Sequence, residues 1–187
     1  MLGVASGAIL VPLNSTMLAV ALPSVMAEFD VSAAAVASLV TVYLGSVVIA
    51  LPLAGALGDR FGHRRIFLLG VVAFAAASLL AAAAGAFAML LVARVLQAGS
   101  GSLISTSSLA LVRAASPAAR RGAAFGVFEM LVSTSAAVGP FVGGLIVAAL
   151  DWRWTFLLAA PVATVAALSV GLWHPQAARA DGGRSPA

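Results

Sequence analysis

Residues 66–112 read IFLLGVVAFAAASLLAAAAGAFAMLLVARVLQAGSGSLISTSSLALV, 47 residues with a single charge, Arg94. A helical membrane span needs about 20 mostly apolar residues. The stretch is too long for one span and suits two, with Gly85 as the only turn-like residue between them. This division sets the parity of the whole chain. Charges and turn residues then mark out six spans, 3–26, 33–57, 66–84, 87–112, 122–149 and 154–173. With six spans, Arg60, Arg64, Arg65, Arg113, Arg120, Arg121, Arg179 and Arg184 all fall at one face of the membrane. Arg153 falls opposite, together with Glu28, Asp30 and Asp151. A five-span reading would scatter the arginines over both faces. By the positive-inside rule the arginine face is cytoplasmic, and both termini lie inside.

Composition agrees with a membrane chain. Of 187 residues 63% are apolar and 9% charged, against about 25% charged in an ordinary soluble domain. So few charges cannot coat the outside of a soluble chain of this length. That excludes a cytoplasmic enzyme, a nucleic-acid binder and a disordered tail. The net charge of +4 comes from ten arginines, no lysines and six carboxylates, and builds no basic patch of the nucleic-acid type. Without cysteine there are neither disulfides nor thiolate metal sites. The first span lacks the basic lead of a signal peptide and is long for one. The tail 174–187 is polar, rich in Ala, Gly and Pro, and is expected to be disordered. Trp152 and Trp154 at the outer boundary, and Trp173 at the inner one, stand where interface anchors stand.

An ionisable residue at membrane depth is costly and is a functional candidate by default. Arg94 lies several residues into span four from the outer side, and Glu129 about eight residues into span five from the inner side. They are expected either to pair or to act separately in charge handling; an ion pair that only fixes packing is the plainer reading. Asn14, Ser15 and Thr16 lie halfway along span one, and Gln97 follows Arg94 on the same helical face. Serines and threonines crowd spans four and five, among them Ser100, Ser102, Ser133, Thr134 and Ser135. Taken singly they suit close helix packing; gathered on the two charged spans they point to a water-filled cavity. Asn14, Thr16, Gln97 and Ser133 are the expected lining.

Span five also carries Gly139-Pro140-Phe141-Val142-Gly143-Gly144. Glycines four apart make a flat strip where another helix approaches closely, and Pro140 removes a backbone donor and bends the helix. The pattern fits either a rocking element or a static crossing. Between spans two and three, Gly55-Ala56-Leu57-Gly58-Asp59-Arg60-Phe61-Gly62-His63-Arg64-Arg65 reads as a charged hinge loop. Gly58 and Gly62 permit the reversal, Asp59 can face a helix N-terminus, and the arginines pin the cytoplasmic side.

This segment resembles the signature of the major facilitator superfamily. Gly55, Leu57, Asp59, Arg60, Gly62 and Arg64 match it, and His63 stands where a basic residue is usual. Arg94-Val95-Leu96-Gln97 resembles the span-four motif whose arginine is implicated in proton coupling. Gly139, Pro140, Gly143 and Gly144 resemble the span-five motif of antiporters, with Ser135 in place of its leading glycine. Leu13-Asn14-Ser15-Thr16, Val20-Ala21-Leu22-Pro23 and Trp152-Arg153-Trp154 look like the fourteen-helix drug:proton antiporters. There an aspartate is usual at position 14 and asparagines at 19 and 159, where this chain has Asn14, Ala19 and Ala159. Glu129, outside the usual motif, is the candidate replacement carboxylate.

The resemblance implies an all-α fold: a six-helix half-bundle of the major facilitator type in a bacterial plasma membrane. The family sets substrate between two such halves at the midplane. It implies part of a proton-coupled exporter of small organic compounds by alternating access, with the proton gradient as driver and no organic cofactor or metal. Its partners are the bilayer, the substrate and a second half, whether of the same gene product, a separate chain or a second copy; no nucleic acid is implied. Two other readings remain. One is a remnant that transports nothing without its second half. The other is an intramembrane serine hydrolase, for which Gly99-Ser100-Gly101-Ser102 would supply the nucleophile. That chemistry needs a base within hydrogen-bond reach, and the only histidines, His63 and His174, lie at the cytoplasmic boundary.

Overall fold

The computed structural model describes residues 2–171. The polar tail, Trp173, Arg179 and Arg184 lie outside the described residues. The rest is helical: α1 (Leu2–Phe29), α2 (Ala33–Phe61), α3 (His63–Ala82), α4 (Phe87–Ala115), α5 (Arg121–Ala149), α6 (Arg153–Leu157) and α7 (Ala159–Gly171), with a 3-10 turn at Ala118–Arg120. Among the described residues five helices, α1 to α5, are long and apolar enough to cross a membrane. From α1 to α5 successive helices run antiparallel, and α6 and α7 together make the sixth pass. One end of the bundle carries Arg60, Arg64, Arg65, Arg113, Arg120 and Arg121; the other carries Glu28, Asp30, Asp151 and Arg153.

The turns explain the bounds. Asp30 takes φ +48°, a left-handed conformation that Asp tolerates better than most side chains. Ser32 then caps α2, its hydroxyl accepting from the Ala35 N–H at 3.2 Å. The hinge loop expected over 55–65 is instead almost entirely helix. α2 runs on through Phe61, and α3 starts at His63. Gly62 alone makes the reversal at φ +91°, its N–H bonded to the Gly58 carbonyl at 2.9 Å. Gly55 and Gly58 sit inside α2. Gly58 serves packing: the His63 ring lies where its Cβ would be.

The sixth span carries one irregularity, at Leu158, whose backbone keeps right-handed helical angles (φ −62°, ψ −21°). α6 ends at Leu157 and α7 begins at Ala159. Pro161 is the cause, since its ring clashes with the carbonyl four residues back and its nitrogen offers no proton; as the third residue of α7 it is tolerated. α5, by contrast, continues unbroken across Pro140.

α4 is the most buried long helix, and α2 and α5 the most exposed. α1 packs on α5 and α7, α3 on α4 and α7, and α2 on α4. Two apolar clusters fill the interior. One, around Phe67, Phe74 and Ile104, lies towards the arginine-rich end; the other, around Leu39, Leu90 and Phe156, lies towards the opposite end. The glycine strip of α5 is the crossing with α1. Gly143 leaves 2.9 Å between a would-be Cβ and the Met17 Cα and carbonyl, and Gly139 abuts the Thr16 hydroxyl. Gly144 meets only Val20, at an ordinary 3.8 Å. Backbone cannot give way as a side chain can. Gly143→Val is therefore expected to destabilise the bundle by about 1–3 kcal/mol through overpacking, and Gly144→Ala to be near neutral, as thermal unfolding in detergent would read.

Candidate functional site

α4 brings its polar residues inward. Arg94 is 2% exposed and Gln97 fully buried, one turn apart on the same face. The Arg94 Nη1 donates to the Gln97 Oε1 at 2.8 Å. The Gln97 amide donates in turn to Ser78 Oγ of α3 at 2.8 Å and to Asn14 Oδ1 of α1 at 3.3 Å. The Asn14 Nδ2 donates to the Thr155 carbonyl at 3.1 Å, just before the irregularity at Leu158 in the sixth span. One polar chain thus ties α4, α3, α1 and α6 together through groups that are all buried. Asn14 both accepts and donates. An aspartate there could accept from Gln97 but would reach the Thr155 carbonyl as a donor only when protonated; asparagine does both at any pH.

The guanidinium at the head of this chain meets no carboxylate among the described residues, and its Nε has no partner there. It lies instead over the Tyr43 ring of α2, 4.0 Å from the centroid. A desolvated cation over an aromatic face gains about 2 kcal/mol, which offsets part of the cost of burying it. Tyr43 is the chain's one tyrosine. It stands in span two with Ser38, Thr41 and Ser46, and nothing in that span's sequence marks it out from them as a partner for Arg94.

Tyr43 also lines a cavity of about 530 Å³ between α1, α2, α4 and α5. Pro12, Leu51, Leu109 and Phe128 make it largely apolar, with Thr16 and Ser105 as polar points. Glu129 is the only charged residue in its wall. A wider concavity of about 650 Å³ at the arginine-rich end, lined by Asp59, His63, Arg113 and Arg121, shares Thr106 and Leu109 with it. The two concavities adjoin along that shared wall, on the arginine-rich side of the cavity.

Among the residues proposed from sequence, Arg94 and Glu129 do not pair. Counting along the helices at 1.5 Å per residue puts Arg94 about 10 Å from one end of the bundle and Glu129 about 12 Å from the other. Helices of 29 residues leave the two roughly 20 Å apart in depth. Of the expected lining, Thr16 reaches the cavity. Asn14 and Gln97 lie behind it in the buried chain, and Asn14 borders a separate apolar pocket of about 230 Å³ beside Pro161. Ser133 is exposed on α5 and does not line the cavity, to which that helix contributes Phe128, Glu129 and Val132.

Asp59 contacts the His63 Nε2 at 3.2 Å across the Gly62 turn, Arg60 stacks on Phe61, and the Arg64 Nε donates to the Val170 carbonyl of α7. At the opposite end Trp152 is buried, contrary to the anchor expected there. Its indole N–H donates to Glu28 at 2.6 Å, and its ring meets Phe29 and Phe156 edge-on. Arg153 grips the same carboxylate at 2.6 and 2.8 Å and also donates to the Ala84 carbonyl. Trp154 is half exposed. The serines of the hydrolase reading donate to their own helix, Ser100 to the Leu96 carbonyl and Ser102 to the Ala98 carbonyl, while His63 is engaged at the arginine-rich end.

The family model described as Major Facilitator Superfamily matches residues 4–187. The chain belongs to that superfamily. It is 39% identical to the tetracenomycin C resistance and export protein of Streptomyces glaucescens, over 97% of this chain and 34% of that protein. It is 38% identical to the puromycin resistance protein pur8 of Streptomyces alboniger, over 88% of this chain and 33% of that protein. The chain thus spans about a third of the length of these curated relatives. The proton:xylose symporter XylE superposes with a TM-score of 0.77 at 18% identity, covering 91% of this chain and 43% of that one. This likeness carries the major facilitator fold.

The buried chain sets a stability test. Asn14→Ala strands the Thr155 carbonyl and one Gln97 donor, each about 1–3 kcal/mol when left unpaired. A fall of several degrees in the melting temperature is expected; Ser133→Ala should leave it unchanged.

Proposed function

We propose that this superfamily chain is the first six-helix half of a secondary exporter of small apolar or cationic organic compounds, driven by proton entry. The observation that carries the reading is the cavity: largely apolar, adjoining the concavity at the arginine-rich end, with one carboxylate in its wall. Such a pocket binds by apolar contact and offers one site for either a proton or a cation. By the positive-inside rule the arginine-rich end is cytoplasmic, so the adjoining concavity lies on the cytoplasmic side of a bacterial plasma membrane. Relatives named for antibiotic resistance and export support the direction of transport.

In this reading Glu129 exchanges a proton for substrate. Arg94 stays charged and structural to the site, holding α1, α3 and α4 in register through Gln97 and Asn14. A second half faces α2 and α5 and closes the cavity; alternating access then exposes it to each side in turn. Gly139 and Gly143 let α5 move against α1 without side chains locking.

The test uses the complete transporter that contains this half. Glu129→Gln should lower proton-driven dye efflux from everted vesicles by at least about tenfold, as loss of a positioned proton-transfer group does, while dye binding persists. Efflux equal to wild type would contradict the assignment.

A further inference from the structure

The cavity and the buried cation meet at one residue. Arg94 is 2% exposed, has one hydrogen-bond acceptor in Gln97 and no carboxylate among the described residues. The face of Tyr43 covers it at 4.0 Å, and the same side chain forms part of the cavity wall although it is only 7% exposed. Tyr43 lies ten residues into α2, about 15 Å from the end opposite the arginine-rich one, so it stands at the end of the cavity away from the arginine-rich concavity. Arg94 itself lines none of that cavity. A ligand inside therefore meets one charge, Glu129, and not two of opposite sign.

We propose that Tyr43 is a specificity-determining residue: the aromatic wall that screens the unpaired Arg94 cation from the cavity and so leaves it selective for cations. This rests on the exporter reading for its functional meaning, but the wall itself is a claim about this chain alone. In a medium with little water, an unscreened guanidinium would hold organic anions and oppose cations. The π face instead engages the guanidinium from the buried side. The hydroxyl is not needed for this; the ring is. Phenylalanine should serve at position 43, and an aliphatic side chain should not.

Two measurements on the intact chain in lipid nanodiscs decide the matter. The first is modification by p-hydroxyphenylglyoxal, read at each arginine by mass spectrometry. Arg94 should label far more slowly than the exposed Arg113 and Arg120 in wild type and in Tyr43→Phe. In Tyr43→Leu its labelling should rise by roughly tenfold or more as the cation–π cover is lost. Tyr43→Met, which fills similar space without a π face, replaces the leucine variant should that one not fold. The second is binding of tetraphenylphosphonium against tetraphenylborate, ions of one shape and opposite charge. The cation-to-anion ratio should fall by about tenfold in Tyr43→Leu and hold in Tyr43→Phe, following exposure of the guanidinium. Arg94 equally protected in all variants, or a phenylalanine variant that behaves like leucine, would overturn the proposal. Failure of wild type to bind tetraphenylphosphonium would contradict the exporter reading, and the labelling comparison would still decide the wall.

Discussion

A guanidinium buried in the hydrocarbon layer is the constraint around which this bundle is arranged. Arg94 cannot shed its proton, and a charge at this depth costs several kcal/mol unless it is compensated. Among the described residues no carboxylate compensates it. Compensation is spread instead over the Gln97 carbonyl oxygen, the Tyr43 ring and, through Gln97, over Asn14 and Ser78. Each of these groups comes from a different helix. Satisfying one cation therefore fixes the mutual register of α1, α2, α3 and α4.

The same chain reaches the sixth span. The Thr155 carbonyl, just before the irregularity at Leu158 in the sixth span, takes its hydrogen from Asn14. That carbonyl and the buried cation are thus parts of one polar system. At the end of the bundle opposite the arginine-rich one, Arg153, Trp152 and Glu28 clamp α1, the α3–α4 turn and α6 together. At the arginine-rich end the Arg64 Nε ties α3 to the Val170 carbonyl of α7, and a concavity lies between Asp59, His63, Arg113 and Arg121.

The all-helical fold and the superfamily motif were legible in the sequence because each is a property of one segment at a time. Charge placement singled out Arg94 and Glu129 as the ionisable residues inside spans. What a single segment does not carry is its position relative to the others. Arg94 and Glu129 looked able to pair because both lie well inside the membrane. Counted from opposite ends of 29-residue helices they are far apart, and Tyr43 stands at the cavity wall on the Arg94 side. Ser133 shares the exposed side of α5 with Glu129, four residues before it, and does not border the cavity. The buried Trp152 depended on Glu28, more than 120 residues away. Gly62 alone sufficed where two glycines and a loop were expected.

Asn14 is the chain's one asparagine, so its side-chain amide can be observed alone. Labelled with 15N at that position and held in nanodiscs, the intact chain should show one amide pair exchanging with water far more slowly than free asparagine. It should also show a cross-relaxation contact to the Gln97 side chain. That result places Asn14 inside the dry polar chain that compensates Arg94. An Asn14 amide exchanging at the free rate, with no contact to Gln97, would contradict the account at its centre.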